Sequence, residues 1–281
     1  MAKQFSSTDS TLWTSVSQDY EDNSFHAKGA HYPSNSFRYE VVLDFLEKIP
    51  KGKVLDAGCG PGLMTRLLQK RGWDAIAVDY SQGMLETARK KALEEGLPDV
   101  YQHLSLRELS KLDTKFDVII LNGVLPYLSL KEEREAFAEI KRVLKVGGLL
   151  IASHYNLYFD IFGFDRWSAE AIVEQILKPA GLAENELKKA KSKITLQLKS
   201  SKVLDNEKTM KLEDPLSYKL KLRNFGFEEF DQAYYNFFYL PARFEKEQNP
   251  KIREGLERKL RRDPKGLLLA RGFVSFAKFG G

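Results

Sequence analysis

Apolar residues along this chain recur in two periods, and the periods alternate. Phe37, Val41, Val42, Phe45 and Leu46 share one helical face, which predicts a helix from a cap at Ser36 to Lys48, stopped by Pro50-Lys51-Gly52. Val54–Ala57 then reads as a strand, Leu63–Arg71 as a helix closed by Gly72, and Ala75–Asp79 as a second strand. Ser81 caps a helix that runs to Glu95 and ends at Gly96 and Pro98. Val100–Leu104 follows as a third strand. Phe116–Leu121 is a β-rich run of the kind buried on both faces of a parallel sheet. Lys131–Leu144 turns Phe137, Ile140, Val143 and Leu144 inward, and Lys145-Val146-Gly147-Gly148 turns the chain into a fifth strand, Leu149–Ser153. Strands that alternate with helices predict a Rossmann-like α/β sheet.

The regular pattern then breaks. The segment from Tyr155 to Glu213 is too long for an ordinary connection. It opens with Tyr155, Tyr158, Phe159, Phe162, Phe164 and Trp167, contains a helix over Ser168–Leu177, and alternates at Ile194, Leu196 and Leu198. Asp214-Pro215 begins another helix, ended by Gly226. Phe227–Leu240 reads as a long strand, Pro250–Arg262 as a charged helix and Leu267–Phe279 as a last strand. Four parts result: residues 1–35 cover the site, 36–154 form the core, 155–213 are an aromatic and basic insertion, and 214–281 complete the sheet.

The chemistry concentrates after the first strand. Val54-Leu55-Asp56-Ala57-Gly58-Cys59-Gly60-Pro61-Gly62 places a glycine-rich turn between a buried strand and a helix, and Asp79 ends the next strand. Glycines let backbone approach a ligand where a Cβ would collide. An acid at that strand end can accept from two ribose hydroxyls. A dinucleotide fingerprint would read G-x-G-x-x-G and bind a pyrophosphate at open helix N–H groups. Here the spacing is G-x-G-x-G, and Asp56 suits a ligand that carries a sulfonium and an ammonium instead. Cys59 is a small filler within the loop and counts with its cofactor contacts.

These motifs resemble motif I and its successor in the class I S-adenosylmethionine (SAM) methyltransferases, in register from Arg38 to Ser153. Ile140-Lys141-Arg142-Val143-Leu144-Lys145-Val146-Gly147-Gly148 is similar to that family's RVLKPGG turn, with Val146 in place of proline. The resemblance implies a seven-stranded, mostly parallel sheet with an antiparallel last strand, and an insertion after strand five that forms a lid or small subdomain. It also implies SAM as cofactor and S-adenosylhomocysteine (SAH) as product. Gly58 and Gly60 would follow the methionine portion and Asp79 the ribose. Tyr80 would lie against adenine, with Met84 as adenine wall or core. The family's adenine-binding acid is replaced by Ser105, which leaves the Leu106 N–H for the ring. The Asn122 carbonyl would meet the ammonium and Tyr127 the methyl or the acceptor. Tyr20, Tyr32 and Arg38 would cover the sulfonium and bind the SAM carboxylate, Arg38 bidentately, against the alternative of a surface ion pair with Glu40.

Among the four histidines, His154 ends strand five beside the crevice, and His31 lies in a segment that closes over it. Each is read as a candidate general base, against a structural histidine. No metal-ligand spacing joins them, and no metal is expected. The net charge is +5, but its lysine and arginine runs are interleaved with glutamate, so nucleic acid is disfavoured as a partner. No apolar run reaches the ~18 residues of a membrane span. One cysteine excludes an internal disulfide and fits the cytoplasm. The reading is methyl transfer to oxygen or nitrogen of a small organic acceptor, by a monomer or homodimer. An RNA or protein methyltransferase, or a SAM-binding partner without transfer activity, is the alternative.

Overall fold

Strands and helices alternate through the first half of the chain as the apolar periods require. The computed structural model describes residue 14 and residues 34–162, 166–178, 181–198, 210–240, 245 and 247–281. Helix α1 (Ser34–Leu46) precedes β1 (Lys53–Ala57), α2 (Leu63–Lys70), β2 (Asp74–Asp79), α3 (Gln82–Glu94) and β3 (Tyr101–His103). A 3₁₀ segment, Leu106–Leu112, leads to β4 (Phe116–Leu121), and the turn Leu125–Tyr127 to α4 (Leu130–Val143) and β5 (Leu144–Asn156). The strands pair in the order β3-β2-β1-β4-β5, all parallel. Strict alternation explains why consecutive apolar residues in β1 and β4 are all buried. Val54, Val118 and Ile120 face a core with Phe37, Val41 and Leu68, whereas Leu55, Ile119 and Leu121 face one with Phe137, Ile140 and Phe273.

After β5 the chain forms α5 (Leu157–Phe162), α6 (Arg166–Ile172) running into a π turn over Val173–Leu177, and α7 (Glu184–Leu198). It returns as β6 (Leu212–Glu213), α8 (Tyr218–Asn224), β7 (Phe227–Phe237), α9 (Pro250–Leu260), α10 (Gly266–Leu269) and β8 (Ala270–Phe279). β8 inserts antiparallel between β5 and β7, so the last strand alone runs against the sheet. Among the described residues the sheet has eight strands, because the two-residue β6 pairs with Tyr155 and Asn156.

Three expectations shift. Ile194 and its neighbours lie on a helix. Leu187, Ala190, Ile194 and Thr195 are its buried or half-buried positions among the described side chains, at helical rather than alternating spacing. The last strand begins at Ala270 instead of Leu267, because Asn156 Nδ2 donates to the carbonyls of Leu267 and Ala270 and pins the intervening turn. The Lys145–Gly148 turn lies inside β5, where pairing jumps from Phe116↔Leu144 to Val118↔Leu149.

One of the insertion's opening aromatics meets the body of the protein. Phe159 is buried, with its ring 5.0 Å from that of Phe238. The side chains of Phe164 and Trp167 lie outside the described residues.

Candidate active site

The site begins where β1 and β2 end side by side. The Gly58 and Cys59 N–H groups both donate to Val78 O, at 2.8 and 3.0 Å, which folds the loop across the end of β2. Gly58 has φ +78°, and a Cβ there would lie 2.5 Å from Val124 Cγ2, so packing against the neighbouring loop demands glycine. Gly60, at φ +53°, has a different reason: a Cβ would meet no atom of the described residues within 4 Å. That loop is held by Asp79, whose Oδ2 accepts from Gly60 N and whose Oδ1 accepts from Ser81 N, each at 2.8 Å. Burial pushes the Asp79 carboxyl up, while the N–H groups of Ser81 and Gly60 work against that shift. Ser81 also caps α3, accepting from Met84 N at 3.4 Å.

These elements surround a cavity of about 280 Å³ at the carboxyl edge of the sheet. On the β2–β3 side it is lined by Tyr80, Met84, Leu104, Ser105, Leu106 and Arg107. Gly58, Cys59, Gly60, Pro61 and Asp79 form its floor. On the β4 side stand Arg38, Tyr39, Asn122, Gly123, Val124, Tyr127, Leu128 and Glu132. Arg38 is buried, and a Cβ on Gly123 would lie 2.6 Å from its Nη1, so helix α1 brings the guanidinium onto backbone. Asn122 is buried, and both its amide atoms lack a partner among the described residues. A donor and an acceptor left so is costly unless a ligand satisfies them. Gly123 N donates to Ser153 Oγ at 2.7 Å.

The strand order around β1, β2 and β4, the acid at the end of β2 and the open glycine loop lie within or beside one stretch that resembles a known family. A profile described as a methyltransferase domain matches residues 54–148. Residues 54–148 are thus similar to a methyltransferase domain. Similar curated proteins include the ubiquinone biosynthesis O-methyltransferase of Pasteurella multocida, 28% identical over 51% of this chain and 63% of that protein. Another is a putative methyltransferase of Bacillus subtilis, 34% identical over 36% of this chain and 41% of its own length. The chain thus spans less than two thirds of these relatives' length. Among solved structures, a SAM-dependent methyltransferase from Clostridium acetobutylicum superposes with a TM-score of 0.54 at 13% identity, covering 96% of this chain and 100% of that one. Magnesium protoporphyrin IX methyltransferase from Synechocystis, solved with bound SAH, gives 0.54 at 15% identity, covering 95% and 99%. At such identities the likeness is one of fold.

The structure brings together Arg38, Gly58, Cys59, Gly60, Asp79, Tyr80, Met84, Ser105, Leu106, Asn122 and Tyr127 around one cavity. Asp56 lies outside its lining. It is fully buried and accepts from Thr65 Oγ1 at 2.6 Å, and burial pushes its carboxyl up to about 6. Cys59 is also buried, and burial together with the Asp56 and Asp79 charges drives its thiol well above the ordinary range. That keeps it protonated and unreactive, in line with a filler.

His154 stands apart from the cavity lining. Its Nε2 lies 3.0 Å from Ser275 Oγ, and its ring packs 4.2 Å from Tyr218 and 4.8 Å from Phe273. Burial and the nearby Lys221 and Lys211 charges hold it neutral. Tyr20, Tyr32 and His31 lie outside the described residues. Sequence reasoning passed over Tyr39, Leu104, Arg107, Val124, Leu128 and Glu132. The one legible signal was Ser129-Leu130-Lys131-Glu132, a capping box whose Glu132 carboxylate accepts from Ser129 N at 2.9 Å. No group of residues suited to holding a metal occurs among the described residues.

Proposed function

We propose that this protein is a SAM-dependent methyltransferase that alkylates oxygen or nitrogen of a small organic acceptor. The observation that carries the reading is Asp79, buried at the end of β2 and tied to Gly60 N, beside a loop glycine whose missing Cβ leaves space in the cavity. The fit to SAM follows group by group. Asp79 retains lone pairs for ribose hydroxyls, Tyr80, Met84 and Leu106 offer faces for adenine, and Arg38 and the unsatisfied Asn122 amide suit the charged amino-acid end. When bound, SAM supplies a methyl group already activated on a sulfonium. The chain's task is then to orient and to exclude water. Tyr39, Val124, Tyr127 and Leu128 form the wall beside which an acceptor would lie, with Glu132 at its rim.

The relatives' O-methyltransferase names support oxygen as the acceptor atom. A small-molecule substrate is also supported by the basic clusters. Lys189, Lys191, Arg261 and Arg262 face acids at Glu186, Glu170, Asp44 and Asp231, so these cations form ion pairs rather than an open basic stripe. Among the described residues no helix is long and apolar enough to cross a membrane. A cytoplasmic setting, as a monomer or homodimer, belongs to the same proposal.

Calorimetry tests the reading. SAM and SAH should bind while NADH does not, and Gly60→Val should remove SAH binding from a folded protein because the valine fills the cavity floor. SAH release should then identify the acceptor in a screen of hydroxylated and amino compounds. Binding of NADH without SAH would overturn the assignment.

A further inference from the structure

The loop of residues 122–128 carries Asn122, Val124, Tyr127 and Leu128 into the cavity, and the far end of the insertion holds it from outside. Lys211, just before β6, donates its N–H to Pro126 O at 2.8 Å. Its ammonium lies 2.8 Å from Glu133 Oε2 and 3.6 Å from Glu213 Oε1. Lys221 of α8 approaches the same two carboxylates at 2.8 and 2.5 Å. Glu133 is 1% exposed and sits in the first turn of α4, next to the cavity-lining Glu132. Helix α4 and the 211–221 stretch, remote from it in sequence, therefore converge on one four-charge cluster behind the cavity wall, its carboxylates buried and its ammonium groups half-buried.

Such a cluster is a poor source of net stability, because desolvation offsets most of the attraction between the charges. It does select one arrangement strongly, since a lone buried Glu133 carboxylate would be far more costly than a paired one. β6 by itself could not hold that arrangement: it pairs with β5 only through Leu212 and Glu213. On its other side the loop is fastened by Gly123 N to Ser153 Oγ, so the Lys211 contact completes a two-point attachment.

We propose that Lys211, held by Glu133 and Glu213, is a positioning residue that latches the insertion's return strand to the cavity loop and so sets the acceptor wall of Val124, Tyr127 and Leu128. The word acceptor rests on the methyl-transfer reading; the latch does not. Movement of the insertion is thereby coupled to the wall of the cavity.

The test reads the loop in the ligand-free full chain. Tyr127 N and Leu128 N donate to Val124 O and Leu125 O, so their amide exchange reports loop opening. Lys211→Met keeps the backbone N–H and the apolar stem but removes the charge. It should speed exchange of Tyr127 and Leu128 at least tenfold and shift the methyl resonances of Val124 and Leu128, and Lys211→Arg should restore both. Arg253→Met is the control: it breaks the buried contacts of a cation on α9, with Phe237 O and Asn236 Oδ1, and leaves the loop's own contacts intact. Loop exchange in Lys211→Met no faster than in that control overturns the latch. If Lys211→Met does not fold, Glu133→Gln/Lys211→Met removes both charges and is read in the same way. SAH calorimetry on the unaltered protein runs alongside. Failure to bind SAH overturns the functional reading and leaves the loop result to stand or fall by itself.

Discussion

Asp56, one residue before the end of β1, and Asp79, at the end of the adjacent β2, occupy different surroundings. Asp79 reaches the cavity with its oxygens fixed by two backbone donors, whereas Asp56 is sealed behind the glycine loop with Thr65. Burying a carboxylate this way has a thermodynamic sign. The Asp56 carboxyl moves from 3.8 to about 6 on folding, so the native state binds a proton more tightly than the unfolded chain. The stability this contributes is present below pH 3.8 and is lost as pH rises to about 6. The loss is on the order of 3 kcal/mol at neutral pH, from roughly two pKa units. Asp56→Asn should therefore raise the urea midpoint at pH 7.5 by a margin that shrinks toward pH 4, because asparagine can still accept from Thr65. The same substitution should weaken SAM more than SAH, since it removes negative charge near the sulfonium. A gain in stability equal at pH 7.5 and pH 4 would sink this account of Asp56.

Elements around the cavity are positioned mainly by their ends. Helix α4 starts with a reciprocal cap in which Ser129 Oγ accepts from Glu132 N at 3.3 Å while Glu132 returns the bond to Ser129 N. The cap also fixes the direction in which the 122–128 loop enters the helix, and with it Tyr127 and Leu128. Ser129→Ala should cost about 1 kcal/mol of stability. In thermal or urea unfolding a change within error would mean that the cap is redundant with the Lys211 contact. At the other end of the sheet, β7 is finished by α9. There Phe237 N donates to Glu257, and Arg253 Nε donates to Phe237 O at 2.8 Å. Asn236 adopts a left-handed conformation (φ +62°), and its side chain accepts from Arg253 at 2.6 Å. An exposed charged helix by its sequence thus spends its two central charges on terminating a strand.

In the assembled molecule the described part of the insertion up to residue 198 stays off the cavity lining, while its return at Lys211 touches the cavity loop. No described residue between 155 and 198 lines the cavity, and α5 is packed on the body through Phe159 and Phe238. Replacing residues 163–209 by a flexible Gly/Ser linker keeps α5 and the Lys211 contact. SAH affinity should then stay within about tenfold, roughly 1.4 kcal/mol, because the groups proposed to hold it all come from α1, the β1–β4 half of the sheet and its loops. Transfer to the acceptor found by screening should be lost if the insertion forms the lid expected of it. A fall in SAH affinity well beyond tenfold would show that the insertion belongs to the cofactor site. Turnover that survives the replacement would remove the lid.

Features that depend only on neighbours along the chain were legible in the sequence. The apolar runs, the glycine turn, the Ser81 cap and the stop at Gly96 are local. They placed β1, β2, β4 and the helices between them to within a residue or two, together with Gly60 and Asp79. Tertiary structure decided what depends on which face a residue occupies and what lies across from it. His154 illustrates the reason. Being one residue beyond Ser153 puts it on the opposite face of β5, so Ser153 reaches Gly123 N beside the cavity while His154 turns into the aromatic core with Tyr218 and Phe273. Ile194 and Leu196 alternate like a strand, yet Leu187 and Ala190 supply the rest of a helical face that a short window does not contain. Asn122, Glu133 and Lys211 are ordinary polar residues in the sequence. Only long-range packing leaves the first without a partner beside the cavity and joins the other two behind it, because burial and ion pairing belong to the assembled fold and not to any stretch of chain.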